Sequence, residues 1–265
     1  MADHLPVHVL DYGDSGVGKS TFAATFPKPM LVWHFDPYGK DTPYLDKGTP
    51  SDLFSDDKAA FVRNVMSKRD AERLLIRIEY YHELGFIEPE LMTLPKSQRI
   101  RLHDLNPEAY SRFLTRVSRV HEEYGQYKTI VLDSATFMEI AARRWDQHTI
   151  NPMTEDPRQW WAGSTDMLEQ MLMVRFASFP MNVVTICHID REKAEASDTM
   201  LRSPAAPGRL RGNLSVAYSE LYHQYMDKDG QPWLQTRSNT MYNAATRIGA
   251  PPVCKPTYRA IWGEE

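Results

Sequence analysis

The chain has 265 residues, of which 42% are hydrophobic and 25% charged, the balance of a globular protein with an apolar core. Its 31 lysines and arginines against 35 aspartates and glutamates give a net charge of −4, so a polyanion could bind only a local basic patch. Two cysteines, Cys187 and Cys254, are too few for a disulfide framework. With no basic leader and no apolar run near the ~20 residues of a membrane span, we expect a cytosolic, soluble protein.

The amino-terminal region has the pattern of a βαβ unit. Residues 7–12 form a short apolar, β-rich run, and glycines then punctuate residues 13–18. A helix is predicted over 20–26, where prolines end it, and a second apolar strand over 30–35. Strand, glycine loop, helix and strand in this order predict a parallel sheet covered by helices.

Residues 41–126 differ in character, because they are polar and rich in charge. Two helical patterns fall in this stretch, roughly over 58–84 and 107–124, with a proline-containing connector between them. We therefore predict a mainly helical insertion at about 41–126, between sheet strands of a single domain that spans residues 1–265.

The second half of the chain alternates again between strand and helix patterns. Strands are predicted over 129–134 and 182–188, the first of them ending in an acidic residue. Helices are predicted over 137–148 and 160–179, where a proline breaks the second pattern. These segments extend the predicted parallel sheet.

The strongest sequence signal is a complete phosphate-binding loop between the first predicted strand and helix. Its glycines let backbone N–H groups turn toward phosphate oxygens, and the helix N-terminus adds partial positive charge. Lys19 would reach the β- and γ-phosphates, and the Ser20 hydroxyl would coordinate Mg²⁺. Since no guanine-reading motif appears, ATP is favoured over GTP. The predicted nucleotide-binding residues are Gly13, Asp14, Ser15, Gly16, Val17, Gly18, Lys19, Ser20 and Thr21.

Two strand-ending side chains complete the predicted site. Asp133 fits the acid that holds the metal with Ser20, at the end of a strand beside the loop strand. His188 ends the strand that follows, where a polar side chain would face the γ-phosphate. It could then report ATP or ADP to the segment after it, in the manner of other γ-phosphate switches.

Residues 190–212 lose the periodicity of helix and strand, which predicts a long mobile loop. The loop is only mildly basic, but no acid lies between Thr199 and Asn213. Such a segment would bind a single nucleic-acid strand mainly through phosphates, with salt-sensitive affinity. The predicted DNA contacts are Arg191, Lys193, Arg202, Arg209 and Arg211.

The order of these parts resembles the RecA-like recombinase ATPase core and, more narrowly, the phage-encoded minimal RecA-like annealing ATPases. The likeness rests on residues 13–27, residues 127–134 and His188. It implies an α/β RecA-like P-loop NTPase core, a mostly parallel sheet flanked by helices. It also implies an ATPase that assembles head to tail, as a ring or filament, on single-stranded DNA. Such proteins work in recombination or annealing beside a single-strand binding protein.

One position departs from the RecA-like pattern. A glutamate two residues after the strand-ending acid, Asp36, positions the attacking water in that family, and Tyr38 stands there in this chain. Either Asp36 serves instead, which adds it to the predicted catalytic residues Lys19, Asp133 and His188, or hydrolysis is slow.

A cation from a neighbouring subunit would stabilise the charge of the transition state. A C-terminal β-hairpin is predicted from strands over 221–226 and 232–236, which flank the turn sequence Asp-Lys-Asp-Gly. Arg237 and Arg247, in or after this hairpin, are the candidates for the trans-acting finger.

Two other functions stay open at this point. A small-molecule kinase would use the same phosphate loop and would need an arginine-rich lid, for which the segment after His188 could be mistaken, and an acceptor-binding pocket. A binding module would use ATP as an assembly switch with little turnover, an alternative that the missing glutamate favours.

Overall fold

The computed structural model describes residues 6–36, 44, 75–81, 107–152, 154, 156–193, 200–206 and 208–263. Within them, the helices are α1 (Lys19–Ala23), α2 (Ala109–Arg119), α3 (Ala135–Trp145), α4 (Pro157–Glu169), α5 (Gly208–Ala217) and α6 (Tyr258–Trp262). The strands are β1 (His8–Gly13), β2 (Met30–His34), β3 (Ile76–Tyr80), β4 (Thr129–Asp133), β5 (Asn182–Lys193), β6 (Met200–Pro204), β7 (Glu220–Met226), β8 (Pro232–Gln235), β9 (Ala245–Thr246) and β10 (Val253–Cys254).

The described strands form one sheet in the order β10-β8-β7-β1-β5-β4-β2-β3. Every pairing from β7 through to β3 is parallel, whereas β8 and β10 add an antiparallel edge. Outside this path, β6 pairs with the end of β5 and β9 pairs with β7, both antiparallel. The α/β fold with a mostly parallel sheet is therefore confirmed.

Both faces of the sheet are covered by helices, which explains why its central strands are apolar almost throughout. Successive side chains alternate between the faces, so Leu10 and Val9 belong to two different cores. The larger core packs residues of α2, α3, α4 and α5 against the sheet, Phe113 and Met138 among them. The smaller core contains Phe22 of α1, and α6 packs against it.

The predicted helical pattern over 58–84 is wrong at residues 76–80, because β3 is the edge strand of the parallel sheet. Ile76 and Ile78 are buried and alternate with the partly exposed Arg77 and Glu79, the period of two that a strand requires. Residues 58–74 and 82–84 lie outside the described part. The helical pattern over 107–124 is confirmed by α2 and the 3₁₀ helix that continues it to Gln126. The insertion at 41–126 thus includes a strand of the sheet, and the single-domain organisation stays a prediction.

The mobile loop predicted over 190–212 is also wrong. β5 continues past His188 to Lys193 and pairs with β6 from Ile189↔Pro204 to Lys193↔Met200, after which α5 begins. A projecting two-stranded hairpin buries neither face completely, so its sequence lacks the alternation that marks a half-buried strand. Residues 194–199 lie outside the described part.

The remaining predicted elements in the second half are confirmed with small changes. α3 and α4 continue as π-helical turns to Ile150 and Arg175. β7 and β8 form the predicted hairpin, whose turn is held by Asp227 Oδ1, the acceptor for the backbone N–H groups of Asp229 and Gln231. Among the described residues, no helix has the length and apolar character to cross a membrane.

Candidate nucleotide site

The phosphate loop connects the end of β1 to the start of α1, in the middle of the sheet. Gly16 and Gly18 adopt φ values of 79° and 97°, the left-handed region that favours glycine. Gly13 needs to be glycine for another reason, because a Cβ atom there would lie 2.2 Å from the carbonyl oxygen of Gln224 on β7. The loop backbone is therefore fixed by conformation at two glycines and by close packing at a third.

Lys19, the first residue of α1, is buried and turned back over the loop. Its Nζ donates hydrogen bonds to the carbonyl oxygens of Gly13 at 2.9 Å and Asp14 at 2.6 Å. Burial lowers the pKa of Lys19, and the nearby Asp11 and Asp133 carboxylates oppose this effect. A buried ammonium held by neutral carbonyls is well suited to a phosphate, which would supply the missing negative charge.

The Ser20 hydroxyl and the Asp133 carboxylate meet at the carboxyl edge of the sheet. Ser20 Oγ donates to Asp133 Oδ2 at 2.7 Å, and Tyr44 Oη donates to the same oxygen at 3.1 Å. Burial, with a smaller effect of Asp36, raises the pKa of Asp133 to about 6. Hydroxyl and carboxylate oxygens are the ligands that Mg²⁺ prefers, so this pair fits the predicted metal site.

The strand order corrects one detail of the prediction for Asp133. β4 does not lie beside β1, because β5 separates the two strands. The contact arises because Ser20, in the first turn of α1, reaches across β5 to the end of β4.

Asp36 and His188 lie next to this pair, Asp36 just after β2 and His188 within β5. Ser134 Oγ donates to Asp36 Oδ1 at 2.7 Å, and His188 Nε2 lies 3.8 Å from Asp36 Oδ2. Burial raises the pKa of Asp36, but the side chains of His188 and Ser134 lower it more, so the pKa is lowered on balance. The backbone N–H of His188 donates to Thr136 Oγ1 at 2.9 Å. An ionised carboxylate and an imidazole are thus held beside the metal-site residues.

Three residues at the site were missed from the sequence. Asp11 is fully buried in β1, and burial raises its pKa well above the ordinary value despite the opposing charge of Lys19. Gln224 of β7 donates from Nε2 to the carbonyl oxygen of Val17 at 2.8 Å. Asp11 interrupts an apolar strand, a signal that could have identified it, whereas β7 also contains Glu220 and His223, so nothing in the sequence pattern marks Gln224 or Tyr44.

The predicted DNA-binding arginines divide into two groups. Arg191 contacts the phosphate loop itself, since its Nη2 donates to Asp14 Oδ1 at 2.5 Å. Arg202 and Arg211 lie farther along the hairpin and on α5, where they bond to Tyr242 and to Asp190. The side chains of Lys193 and Arg209 lie outside the described part of the protein.

The two candidate trans-acting arginines lie away from the loop. Arg247 follows β9, and its backbone N–H donates to Glu220 at the amino end of β7, the opposite end from Gln224. Arg237 is exposed just after β8. Neither touches the phosphate loop of its own chain, and a role in a neighbouring subunit stays a prediction.

Comparison with known families agrees with this geometry. A family model described as an AAA domain matches residues 5–248, which include the phosphate loop, Asp133 and His188. The chain belongs to the AAA domain family. It is therefore an AAA-type, nucleotide-binding P-loop ATPase, a class that uses ATP and usually Mg²⁺. No curated protein matches the sequence.

The backbone and side-chain groups at this site of the AAA domain fit Mg·ATP. The backbone of residues 13–18 and the Lys19 ammonium would hold the phosphates, while Ser20 and Asp133 would hold the metal and its waters. When bound, Mg·ATP supplies the transferable γ-phosphoryl group.

Proposed function

We propose that this AAA-type ATPase is a RecA-like protein of phage recombination or strand annealing. It oligomerises, binds single-stranded DNA and hydrolyses ATP with Mg²⁺ in the cytoplasm of a bacterial host, beside a single-strand binding protein. The observation that carries the proposal is the path of β5, an unbroken strand that leads from the nucleotide site into a basic hairpin.

The register of β5 supports a short mechanical link between nucleotide and DNA. His188 pairs with Gly13, the first residue of the phosphate loop. Three residues later, Arg191 pairs with Arg202 of β6 and forms an ion pair with Asp14. A change at the γ-phosphate that moved Asp14 or His188 would therefore be transmitted directly to the hairpin.

The charge of the hairpin region supports a polyanion as its ligand. Arg191, Arg202 and Arg211 bring three guanidinium groups to the β5–β6 hairpin and the start of α5, although the chain as a whole is acidic. Arginine binds phosphate oxygens with two parallel hydrogen bonds, and a single strand offers one phosphate per nucleotide. Binding by this surface would weaken steeply with added salt.

Asp36 is our candidate for positioning the attacking water in place of the glutamate of the RecA-like pattern. Its pKa is lowered on balance, so it is an acceptor at neutral pH, and its Oδ2 atom faces His188 across 3.8 Å. Asp133 is less suited, because its Oδ2 already accepts hydrogen bonds from Ser20 and Tyr44.

A small-molecule kinase stays an alternative. The segment after His188, which could be mistaken for its arginine-rich lid, is a hairpin followed by α5. The second candidate is a nucleotide-switched assembly module, which is favoured by the bond that already engages Asp36 with Ser134.

The test is retention of labelled oligo(dT) with and without Mg·ATP, together with the rate of hydrolysis. We expect ATP-dependent retention, faster hydrolysis with DNA, and at least a ~100-fold loss of hydrolysis in Lys19→Ala. Lys128→Ala is the matched control, because Lys128 is exposed and precedes β4 at the end opposite Asp133. Tight nucleotide binding with negligible turnover, unchanged by DNA, would instead support the assembly module. Phosphate transfer to a nucleoside or sugar would support the kinase.

A further inference from the structure

An open cavity of about 620 Å³ lies beside the hairpin. It is lined by residues of β6, α5 and the connection between β8 and β9. Its volume falls in the range of pockets that bind small ligands, ~300–1,000 Å³. None of the nucleotide-site residues described above lines it.

Arg202 and Tyr242 line one wall of the cavity, and His223 of β7 supports the Tyr242 ring from behind. The Tyr242 ring lies on the His223 ring, with centroids 4.0 Å apart and planes inclined by 23°. The guanidinium carbon of Arg202 lies 5.1 Å from the centroid of the Tyr242 ring, and Arg202 Nη1 donates to Tyr242 Oη at 2.5 Å. The wall thus presents a planar cation and an aromatic ring in a fixed arrangement.

The lining of the cavity combines apolar side chains with guanidinium groups. Leu201 and Met241 line the cavity with more than 40% of their surfaces exposed, so apolar surface is open to a ligand there. The lining includes two guanidinium groups, Arg202 and Arg211, and no acidic residue among those described. Arg202 Nε is buried and has no hydrogen-bond partner in the described part of the chain.

A ligand that satisfies all of these groups is planar and apolar on its faces, polar at its edges and linked to an anion. A nucleotide has this chemistry, since bases unstacked from a single strand pack on aromatic rings and guanidinium planes. Asn239 and Asn243 also line the cavity, and although their Oδ1 atoms accept hydrogen bonds within the protein, their amide groups carry donors that can read a base edge.

We infer that this cavity receives one unstacked nucleotide of single-stranded DNA. The base packs between the exposed Leu201 and Met241 and the Arg202–Tyr242 stack, and the adjoining phosphate faces Arg202 and Arg211. The inference rests on the DNA binding of the proposed function, and it adds that the protein holds a base as well as the backbone.

The test compares two oligonucleotides of equal length and charge, one of oligo(dT) and one with abasic sugars at every position, by fluorescence anisotropy with Mg·ATP. Because stacking one base contributes ~1–3 kcal/mol, we expect the wild type to prefer the intact strand by ~5- to 150-fold. Tyr242→Ala should lose this preference while its affinity for the abasic strand stays unchanged. Tyr242→Phe keeps the ring and should keep most of the preference.

Leu201→Ser provides a variant that cannot act through misfolding of the core, because its side chain is exposed. It should reduce the preference for the intact strand, whereas Arg175→Met, a control at an exposed arginine after α4, should not. Equal binding of both strands by the wild type, or a preserved preference in both Tyr242→Ala and Leu201→Ser, would overturn the base pocket and leave the proposed function standing. Failure of the wild type to bind either strand would overturn both.

Discussion

The phosphate loop and the β5–β6 hairpin are joined by a single strand, yet they are held in place by different forces. The loop is fixed by buried contacts, as in the hydrogen bonds of Lys19 and Gln224 to its carbonyl oxygens. The hairpin is held to the loop by the ion pair of Arg191 and Asp14, in which both side chains are about half exposed. The nucleotide end is therefore preorganised, and the hairpin end is free to respond at small energetic cost.

Burial also determines which side chains the phosphate loop and the β5–β6 hairpin can accept. A buried loop tolerates few side chains, so its residue types are dictated by local geometry. An exposed hairpin tolerates many, and its function depends on which charges face outward. Substitutions at the loop should therefore act on folding and chemistry, and substitutions at the hairpin on coupling.

The largest effect is expected from Gly13→Ala. The added Cβ would lie 2.2 Å from the Gln224 carbonyl oxygen, a backbone atom that cannot move aside as the end of a flexible side chain could. We expect the free energy of unfolding to fall by ~3 kcal/mol, as for strong overpacking, measured by urea denaturation.

The control for this change is Gly125→Ala, where an added Cβ meets nothing within 4 Å. It should change stability by less than ~0.5 kcal/mol. Equal stabilities for the two variants would show that β7 does not hold the loop.

Next in size is the effect of Asp133→Asn on the metal requirement. The amide keeps the shape of the side chain and loses the charge that would hold Mg²⁺ and its waters with Ser20. We expect the Mg²⁺ concentration for half-maximal hydrolysis to rise ~10- to 100-fold. Asp229→Asn, in the exposed β7–β8 turn, should not shift it, and a similar shift in that control would contradict the assignment.

A smaller effect is expected in the pH dependence of stability without metal. The pKa of Asp133 is about 6 in the folded protein, above its ordinary value, so the folded state binds the proton more tightly than the unfolded state. The stabilising contribution of this proton is complete below the unfolded pKa of about 4 and is lost as the pH rises through 6. Unfolding measured from pH 4 to pH 7 should show this loss in the wild type and a smaller loss in Asp133→Asn. Identical profiles would contradict a raised pKa.

The smallest effect is expected at the contact between the two regions. A double-mutant cycle of Arg191→Met and Asp14→Asn, measured on the free energy of unfolding, should give a coupling energy of ~0.2–1 kcal/mol, because both side chains are half exposed. The coupling should shrink in 1 M salt. A coupling energy of several kcal/mol would show instead that the hairpin is held to the loop as firmly as the loop is held to β7.

Features of the fold and the site that depend on a few neighbouring residues could be predicted from the sequence, and those that depend on tertiary packing could not. The phosphate loop, Asp133 and the β7–β8 hairpin each have a local signature of a few residues, and all are where the pattern indicated. β3 was missed because its five residues, in which Ile76 and Ile78 alternate with charged residues, fall inside a longer stretch with a helical pattern. Gln224 and Tyr44 reach the site only through tertiary packing, which no short pattern records.

The most direct test of the account is calorimetric titration of Mg·ATP into the folded wild-type protein and into Lys19→Ala. The buried Lys19 ammonium, which donates to two carbonyl oxygens of the loop, predicts saturable binding by the wild type and a loss of at least ~100-fold in the variant. Absence of binding by folded wild-type protein, or equal affinity of the two proteins, would contradict it.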